Sequence, residues 1–365
     1  MRVLVVPDSF GGTLTAVEAA DAIAAGWRRH APNDEVDVAP LSDGGPGFIN
    51  VMQTSLGGHI TPVVVRGAMG QSVPAEVLIV DDCAFIESAQ SCATSPDDRD
   101  VTTASTYGLG ECILAARDAG VNHIVIGVGG TGTNDAGAGA LAALGAQPAG
   151  ILQSGGLALR HLTSVDLAPA REALAGISVS VATDVDVPLL GLRGATNGFG
   201  PQKGATEEQV MALEGALTHL STLLGRRSDG KDPAVALGAG AGGGLAFGLM
   251  HVGATRVPGL TTVQSAIGLE QRIATSDVVL TGEGTFDWSS LRGKVVSGVA
   301  GMAQSRGIPT VVLAGQVMVG RREFGAIGVE SAYSMTELAG LDQATANSAA
   351  VLADLAERVA KTWSR

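Results

Sequence analysis

Residues 1–30 read MRVLVVPDSFGGTLTAVEAADAIAAGWRRH. Val3 to Val6 is an unbroken apolar run of strand length, and from Ala16 to His30 the apolar residues fall at helical spacing. A strand therefore passes through a glycine turn into an amphipathic helix, with Thr15 as its N-cap. A continuous rather than alternating apolar run is what a parallel strand covered on both faces requires. The same pairing recurs along the chain. Strand-like runs stand at Val36 to Ala39, His123 to Val128, Val179 to Ala182, Val278 to Leu280 and Thr310 to Leu313. Helices are predicted at Gly108 to Ala119, Thr206 to Leu224, Lys294 to Arg306 and Ala344 to Thr362, with Gly120 and Gly307 in C′ positions. The fold class is α/β with a doubly wound parallel sheet.

Residues 59–87 break this rhythm. VVVRGAMGQSVPAEVLIV reads as two strands about a glycine turn, hence an antiparallel hairpin. A second α/β domain is expected at 61–270, inserted into a domain formed by 1–60 plus 271–365. No repeat of 20 to 50 residues stands out.

Composition narrows the function. The 365 residues include 52 Gly against 12 aromatics, and 23 basic against 36 acidic residues give a net charge of −13. That charge repels a phosphate backbone, and the basic pairs Arg28-Arg29, Arg226-Arg227 and Arg321-Arg322 are scattered, so no nucleic-acid partner is expected. Cys83, Cys92 and Cys112 form neither a C-x-x-C pair nor a metal spacing, and the six His stand singly. A cytoplasmic protein is expected. The uncharged stretches 136–159 and 233–255 are too rich in Gly for membrane spans.

Acidic residues and glycines repeatedly follow the strand-like runs, where loop amides converge in open α/β sheets. The first such place holds Asp8 and Ser9, and the second Ser42-Asp43-Gly44-Gly45-Pro46, with Pro46 read as a first-turn residue of the next helix. The third, Gly127-Val-Gly-Gly-Thr-Gly-Thr133-Asn134-Asp135, satisfies G-x-G-x-x-G, but no acidic ribose partner lies about 20 residues on. A phosphate nest over Gly129, Gly130 and Thr131, with Asn134 and Asp135 as polar hands, fits it better than a nicotinamide site. The fourth pairs Thr183-Asp184-Val185-Asp186 with the Gln202-Lys203 loop, and the fifth runs from Thr281 through Glu283 and Asp287 to Ser290, Arg292 and Lys294. Only four lysines occur (203, 231, 294, 361), and two of them sit in these glycine-rich, carboxylate-flanked loops. Carboxylates, lysines and loop amides without His are the inventory of Mg²⁺-assisted phosphoryl transfer.

PDSFGGTLTA, LSDGGPGF, GVGGTGTNDAGAGALAALGA, ATDVDVPLLG, GFGPQKGA and TGEGTFDWSSLRGK occur in the order and spacing of the bacterial glycerate kinase family of the first type, which the whole chain resembles. The resemblance implies a Rossmann-like domain with a smaller inserted one, an active site in the interdomain cleft, and ATP-dependent phosphorylation of D-glycerate, with 2-phosphoglycerate favoured. On that basis Asp184 or Asp287 accepts or orients the hydroxyl proton, and Glu283 with Asp8 or Asp43 holds Mg²⁺. Lys203 and Lys294 neutralise the phosphoryl group and the substrate carboxylate, while Ser9, Gln202, Ser290 and Arg292 contact substrate or phosphate. The expected partners are D-glycerate and ATP, with no membrane and with a homo-oligomer allowed.

The chain departs from the family pattern at three places. Gly11 stands for the Lys of a PDSFKG-like motif, Pro46 and Phe48 stand for Glu and Thr of DGGEGT, and residues 87–93 differ from an EMAAASG-like run. The alternatives are a kinase for another hydroxy acid, a non-catalytic binder on the same fold, or a nicotinamide-dependent oxidoreductase.

Overall fold

The computed structural model describes residues 1–364 except Ser228, Gly293 and Lys294. Eleven strands occur among them: β1 (Arg2–Pro7), β2 (Glu35–Val38), β3 (His59–Arg66), β4 (Ser72–Val80), β5 (Cys83–Glu87), β6 (His123–Gly127), β7 (Ser178–Ala182), β8 (Thr255–Val257), β9 (Val278–Phe286), β10 (Thr310–Val317) and β11 (Val329–Ser334). The chain divides into two compact units. One comprises Met1–Asp43, Asn50–Gly57 and Leu260–Arg365, and the other Gly44–Ile49 and Gly58–Gly259.

The first unit is built on an all-parallel sheet in the order β11-β10-β9-β1-β2. Counted within the unit, this is the 2-1-3-4-5 order of flavodoxin-like doubly wound folds rather than the six-stranded dinucleotide-binding order. Both faces are covered, which is why β1 and β10 read as continuous apolar runs. Val3, Val5, Leu280 and Leu313 pack with Ile23 and Trp27 of the helix Ala16–His30 and with Leu352 and Leu355 of the helix Ser348–Trp363. On the opposite face Val312, Ala314 and Phe286 pack with Val296 and Ala300 of the helix Val295–Gln304. Thr15 caps the first helix in a capping box with Glu18, each side chain accepting from the other's backbone N–H.

β9 is longer than its apolar run predicts. Thr281–Phe286, expected as a ligand loop, continue the strand in register with β10, Gly282 opposite Leu313 and Phe286 opposite Val317. The acidic and glycine composition suggested a turn, but here the glycines serve packing. A Cβ on Gly282 would stand 2.0 Å from the carbonyl oxygen of Leu313, and one on Gly315 would stand 2.4 Å from that of Gly284.

The second unit carries a mixed sheet, β3-β4-β5-β6-β7-β8, antiparallel through the first three strands and parallel from β5 onward. The expected hairpin is β3 and β4. A buried cluster on the sheet runs from Val77 and Ile86 through Ile124 and Val181 to Phe247 and Leu249. The uncharged stretches become short helices, Ala138–Ala143, Ala149–Leu152 and Ala241–His251, the last interrupted by Gly242, Gly243 and Gly244 in left-handed conformation. Among the described residues no helix is long and apolar enough to cross a membrane. Pro46 is not a first-turn residue: the next helix, Phe48–Leu56, begins two residues later, after Gly47 at φ 90°.

In the first unit the two long helices touch backbone to backbone, because a Cβ on Gly26 would stand 1.9 Å from the carbonyl oxygen of Ala353. Gly26→Ala is therefore expected to lose about 2 kcal/mol, overpacking strain exceeding the roughly 1 kcal/mol that Ala gains in helix propensity. Gly301 lies in the helix Val295–Gln304 with open space around its Cβ position. Gly301→Ala is expected to gain about 0.5–1 kcal/mol. Urea denaturation of the two variants should move the midpoint in opposite directions.

Candidate active site

The predicted residues fall into two sets, one in each unit. The second unit holds Gly129, Gly130, Thr131, Asn134, Asp135, Asp184, Gln202 and Lys203; the first holds Asp8, Ser9, Asp43, Glu283, Asp287, Ser290 and Arg292. Lys294 lies outside the described residues.

In the second unit the loop after β6 is built on a buried carboxylate. Asp135 is fully buried, its Oδ2 accepting from the backbone N–H and hydroxyl of Thr106 (2.8 and 2.9 Å) and from Gly139 N–H (3.1 Å), its Oδ1 from Gly137 N–H (3.0 Å). Burial raises its pKa against the downward pull of those hydrogen bonds. Asp135, expected as a polar hand on an anion, is thus the internal brace of its loop, because its oxygens face donors of the protein itself. The neighbouring Ala136 is held at φ 55°, a left-handed conformation that costs a non-Gly residue about 1 kcal/mol or more, with its N–H donating to Gly243 O (3.0 Å).

Lys203 closes the other side. It is 8% exposed, and its Nζ donates to the Thr133 carbonyl (2.7 Å) and to Thr131 Oγ1 (3.3 Å). An ammonium has three donors, so one remains for a ligand oxygen. Burial depresses the Lys203 pKa to about 8, opposed by the negative charge of Asp135. Beside it, Thr133 Oγ1 and Asn134 Oδ1 are buried with no hydrogen-bond partner, while the Asn134 amide donates to Thr196 Oγ1 (3.0 Å). Unsatisfied buried polar atoms are rare in native proteins, and here two of them belong to the loop that the Lys203 ammonium contacts.

The glycines of this loop serve a second purpose. A Cβ on Gly129 would lie 2.6 Å from Gly45 Cα, one on Gly130 2.7 Å from the Pro46 ring, and one on Gly132 2.1 Å from Thr94 Oγ1. The G-x-G-x-x-G run is therefore packed against the Gly44-Gly45-Pro46 turn rather than spread for a pyrophosphate. Two residues of the 87–93 run hold this arrangement. Glu87, at the end of β5, accepts from Gly47 N–H (3.0 Å) and Ile49 N–H (3.3 Å), and burial raises its pKa against those bonds. The Ser88 hydroxyl meets both the N–H and the carbonyl of Gly129 (3.4 and 3.3 Å). Arg99 was missed: its guanidinium lies against Gly204, 2.8 Å from where a Cβ would stand, bringing a second cation to the Lys203 loop.

At the end of β7, Asp184 is exposed and its Oδ1 accepts from Gly259 N–H (3.0 Å). Asp186 turns away into an ion pair with Arg256 (2.6 Å). Gln202 is exposed in the short helical turn Pro201–Lys203.

In the first unit, Asp8 follows β1 and accepts from Ser9 N–H (2.7 Å), while its own N–H donates to Gly282 O (2.8 Å). That pairing places Asp8 beside the β1–β9 boundary, the point at which the strand order reverses and where doubly wound sheets bind ligands. Glu283, 8% exposed, is the next residue along β9, and Asp43 is exposed after β2. Asp287 Oδ1 accepts from the backbone N–H and hydroxyl of Ser289 (2.7 and 2.6 Å), and Asp287 N–H donates to the buried Ser290 Oγ (3.1 Å). Arg292 is exposed. Gly11, at φ 50°, is exposed in open space. Among the described residues no group of three or more His, Cys, Asp or Glu is placed to hold a metal ion. Magnesium retains several waters and needs only one or two protein carboxylates when substrate phosphates complete its shell, so single carboxylates at the strand ends suit it.

Comparison with known proteins agrees with this chemistry. The model of the glycerate kinase family matches residues 3–364. The chain is 34% identical to a glycerate kinase of Halalkalibacterium halodurans over 379 residues, covering 100% of this chain and 99% of the relative. It is 35% identical to glycerate 2-kinase of Escherichia coli K12 over 357 residues, covering 94% and 93%. A crystal structure provisionally described as glycerate kinase 2 from Salmonella typhimurium LT2 superimposes with a TM-score of 0.84 at 36% identity, covering 99% of this chain and 98% of that one. The chain belongs to the glycerate kinase family.

Proposed function

We propose that this protein transfers the γ-phosphoryl group of MgATP to a hydroxyl of D-glycerate, with 2-phosphoglycerate as the product. The observation that carries the reading is the buried Lys203 ammonium, with one donor unused and two unsatisfied oxygens in the loop it contacts, in a chain matched to glycerate kinases over nearly its whole length. Phosphoryl transfer asks a protein chiefly to position two reactants and to neutralise spreading negative charge. A cation shielded from water does that more strongly than one at the surface.

In this reading Lys203, with the Thr131–Asn134 loop and the amides of Gly129 and Gly130, receives phosphoryl or carboxylate oxygens, and Asp135 is a positioning residue. Asp184 or Asp287 orients the acceptor hydroxyl and takes its proton. Asp8, Asp43 and Glu283 supply carboxylates to Mg²⁺, which neutralises phosphate charge when bound. Ser9, Gln202, Ser290, Arg292 and Lys294 contact substrate or phosphate. The units, taken as domains with boundaries near 60 and 270, act on one glycerate and one ATP. A cytoplasmic location follows from the metabolic substrates.

A coupled ADP-release assay with MgATP tests this directly, comparing D-glycerate with L-glycerate, glycolate, lactate and no acceptor. Turnover selective for D-glycerate is expected, with phosphorus NMR placing the phosphate on the 2-hydroxyl. ADP release that is independent of acceptor, or none, refutes the reading.

Lys203 also sets a pH limit. Its cation is present below pH 8 and lost above it, so kcat/KM should be level from pH 6.5 to 7.5 and fall through a midpoint of about 8. In the unfolded chain the same amine stays protonated up to the ordinary value of 10.5, so its burial cost is fully present below pH 8. That cost is relieved between about 8 and 10.5, and the Lys203 contribution to stability rises with pH there. Lys203→Met should cut kcat by about 10²–10³, abolish the alkaline limb and leave the chain folded.

The two candidate bases separate by substitution. The residue that takes the proton should lose about 10²–10⁴ in kcat as Asn, and the other should lose less than about tenfold. Parallel kinetics on Asp184→Asn and Asp287→Asn decide between them, and full activity in both removes the base from this list.

A further inference from the structure

We infer that an uncharged cavity at the carboxyl edge of the five-stranded sheet seats the base of the nucleotide. This inference rests on the kinase reading above. The cavity measures about 250 Å³ and lies within the first unit, against the ends of β1, β9 and β10. It adjoins the β1–β9 boundary, where the strand order reverses.

Its walls define the ligand. Gly284 and Gly315 present bare backbone, their strands so close that a Cβ on Gly315 would lie 2.4 Å from Gly284 O, which leaves a flat peptide surface on one side. Phe10 and Met335, 2% and 1% exposed, form an apolar floor, and Leu341 stands 58% exposed in the lining. The polar groups are all neutral, among them Thr285 and Gln316. Among the described residues no Lys, Arg, Asp or Glu lines the cavity. A phosphate or carboxylate would meet no counter-charge here, and burying one unpaired is costly. A purine satisfies each wall: its faces are apolar and flat, it carries no charge, and its edge bears donors and acceptors for hydroxyls and an amide. The ends of the cavity also fit a nucleotide. Phe10 and Gly11 follow Asp8-Ser9, and Gly284 and Thr285 follow Glu283, so the lining leads in two residues to the carboxylates proposed for the metal.

Steady-state kinetics and calorimetry on the full chain test this with Thr285→Phe and Thr345→Phe, both exposed lining positions that can take a larger side chain without entering the core. Each should raise the ATP KM and the ATP Kd about tenfold or more, with the D-glycerate KM and the unfolding midpoint unchanged within twofold and 2 °C respectively. Inhibition by inorganic tripolyphosphate, which lacks a base, should be unaffected. The inference is overturned if both variants bind ATP like the parent, or if tripolyphosphate and ATP weaken together. A parent protein that phosphorylates glycerate while both variants keep its ATP KM leaves the kinase reading standing and removes the base site; a parent that binds no ATP removes both.

Discussion

At the strand ends of this protein, backbone is pressed against backbone, and the absence of a side chain is what permits it. Gly282 and Gly315 let β9 and β10 run together past the end of their apolar stretch, and Gly129 lies on Gly45. The energetic consequence is that loops which in a looser protein would sample many conformations are fixed by contact on both sides. A site that must neutralise charge gains from this, because dipoles and ammonium groups already in position need not reorganise when charge develops. The cost lies in the unfolded chain, where 52 glycines hold more conformational freedom than alanines would.

Charge is then placed sparingly within this frame. The second unit buries Asp135 among donors of its own, as it does Glu87, and holds one ammonium, Lys203, incompletely among its own acceptors. The contrast separates a structural ion from a functional one. Asp135 accepts four hydrogen bonds from its own unit, whereas Lys203 has a donor to spare and unsatisfied oxygens in the loop it contacts. The pKa values move in the same sense: burial raises the acid and lowers the base, so each group's charge is carried at a cost to folding that its loop must offset.

Much of this architecture was legible in the sequence because the signals were local. The first strand and helix follow from the switch in period, and the β3–β4 hairpin from its glycine turn. What was not legible depends on partners far away in the chain. Nothing in TGEGTF says strand until β10 lies beside it; glycine and glutamate there read as a turn. Lys203 was singled out for its rarity and glycine context, but its burial comes from the Thr131–Thr133 loop some 70 residues earlier. Asp135 looked like a ligand because its sequence neighbours are polar, whereas its hydroxyl partner, Thr106, is 29 residues away. The 87–93 run stands out in the sequence only as a departure from the family pattern, and the bracing role of Glu87 depends on the Gly47 and Ile49 amides, some 40 residues earlier.

The order of the first sheet has a bearing on how the chain is made. Val3 of β1 pairs with Val278 of β9, while all six strands of the other sheet lie between them in the sequence. On the ribosome, β1 and its helix must therefore wait through the synthesis of an entire intervening sheet before their central neighbour emerges. Closing so long a loop is slow relative to local pairing, and until it closes β1 presents Val3 to Val6 with one edge unpaired. Protection of nascent β1 thus falls to β2, which pairs with it from residue 35 and is available early, so a small edge strand of the finished sheet is the temporary guard of its centre.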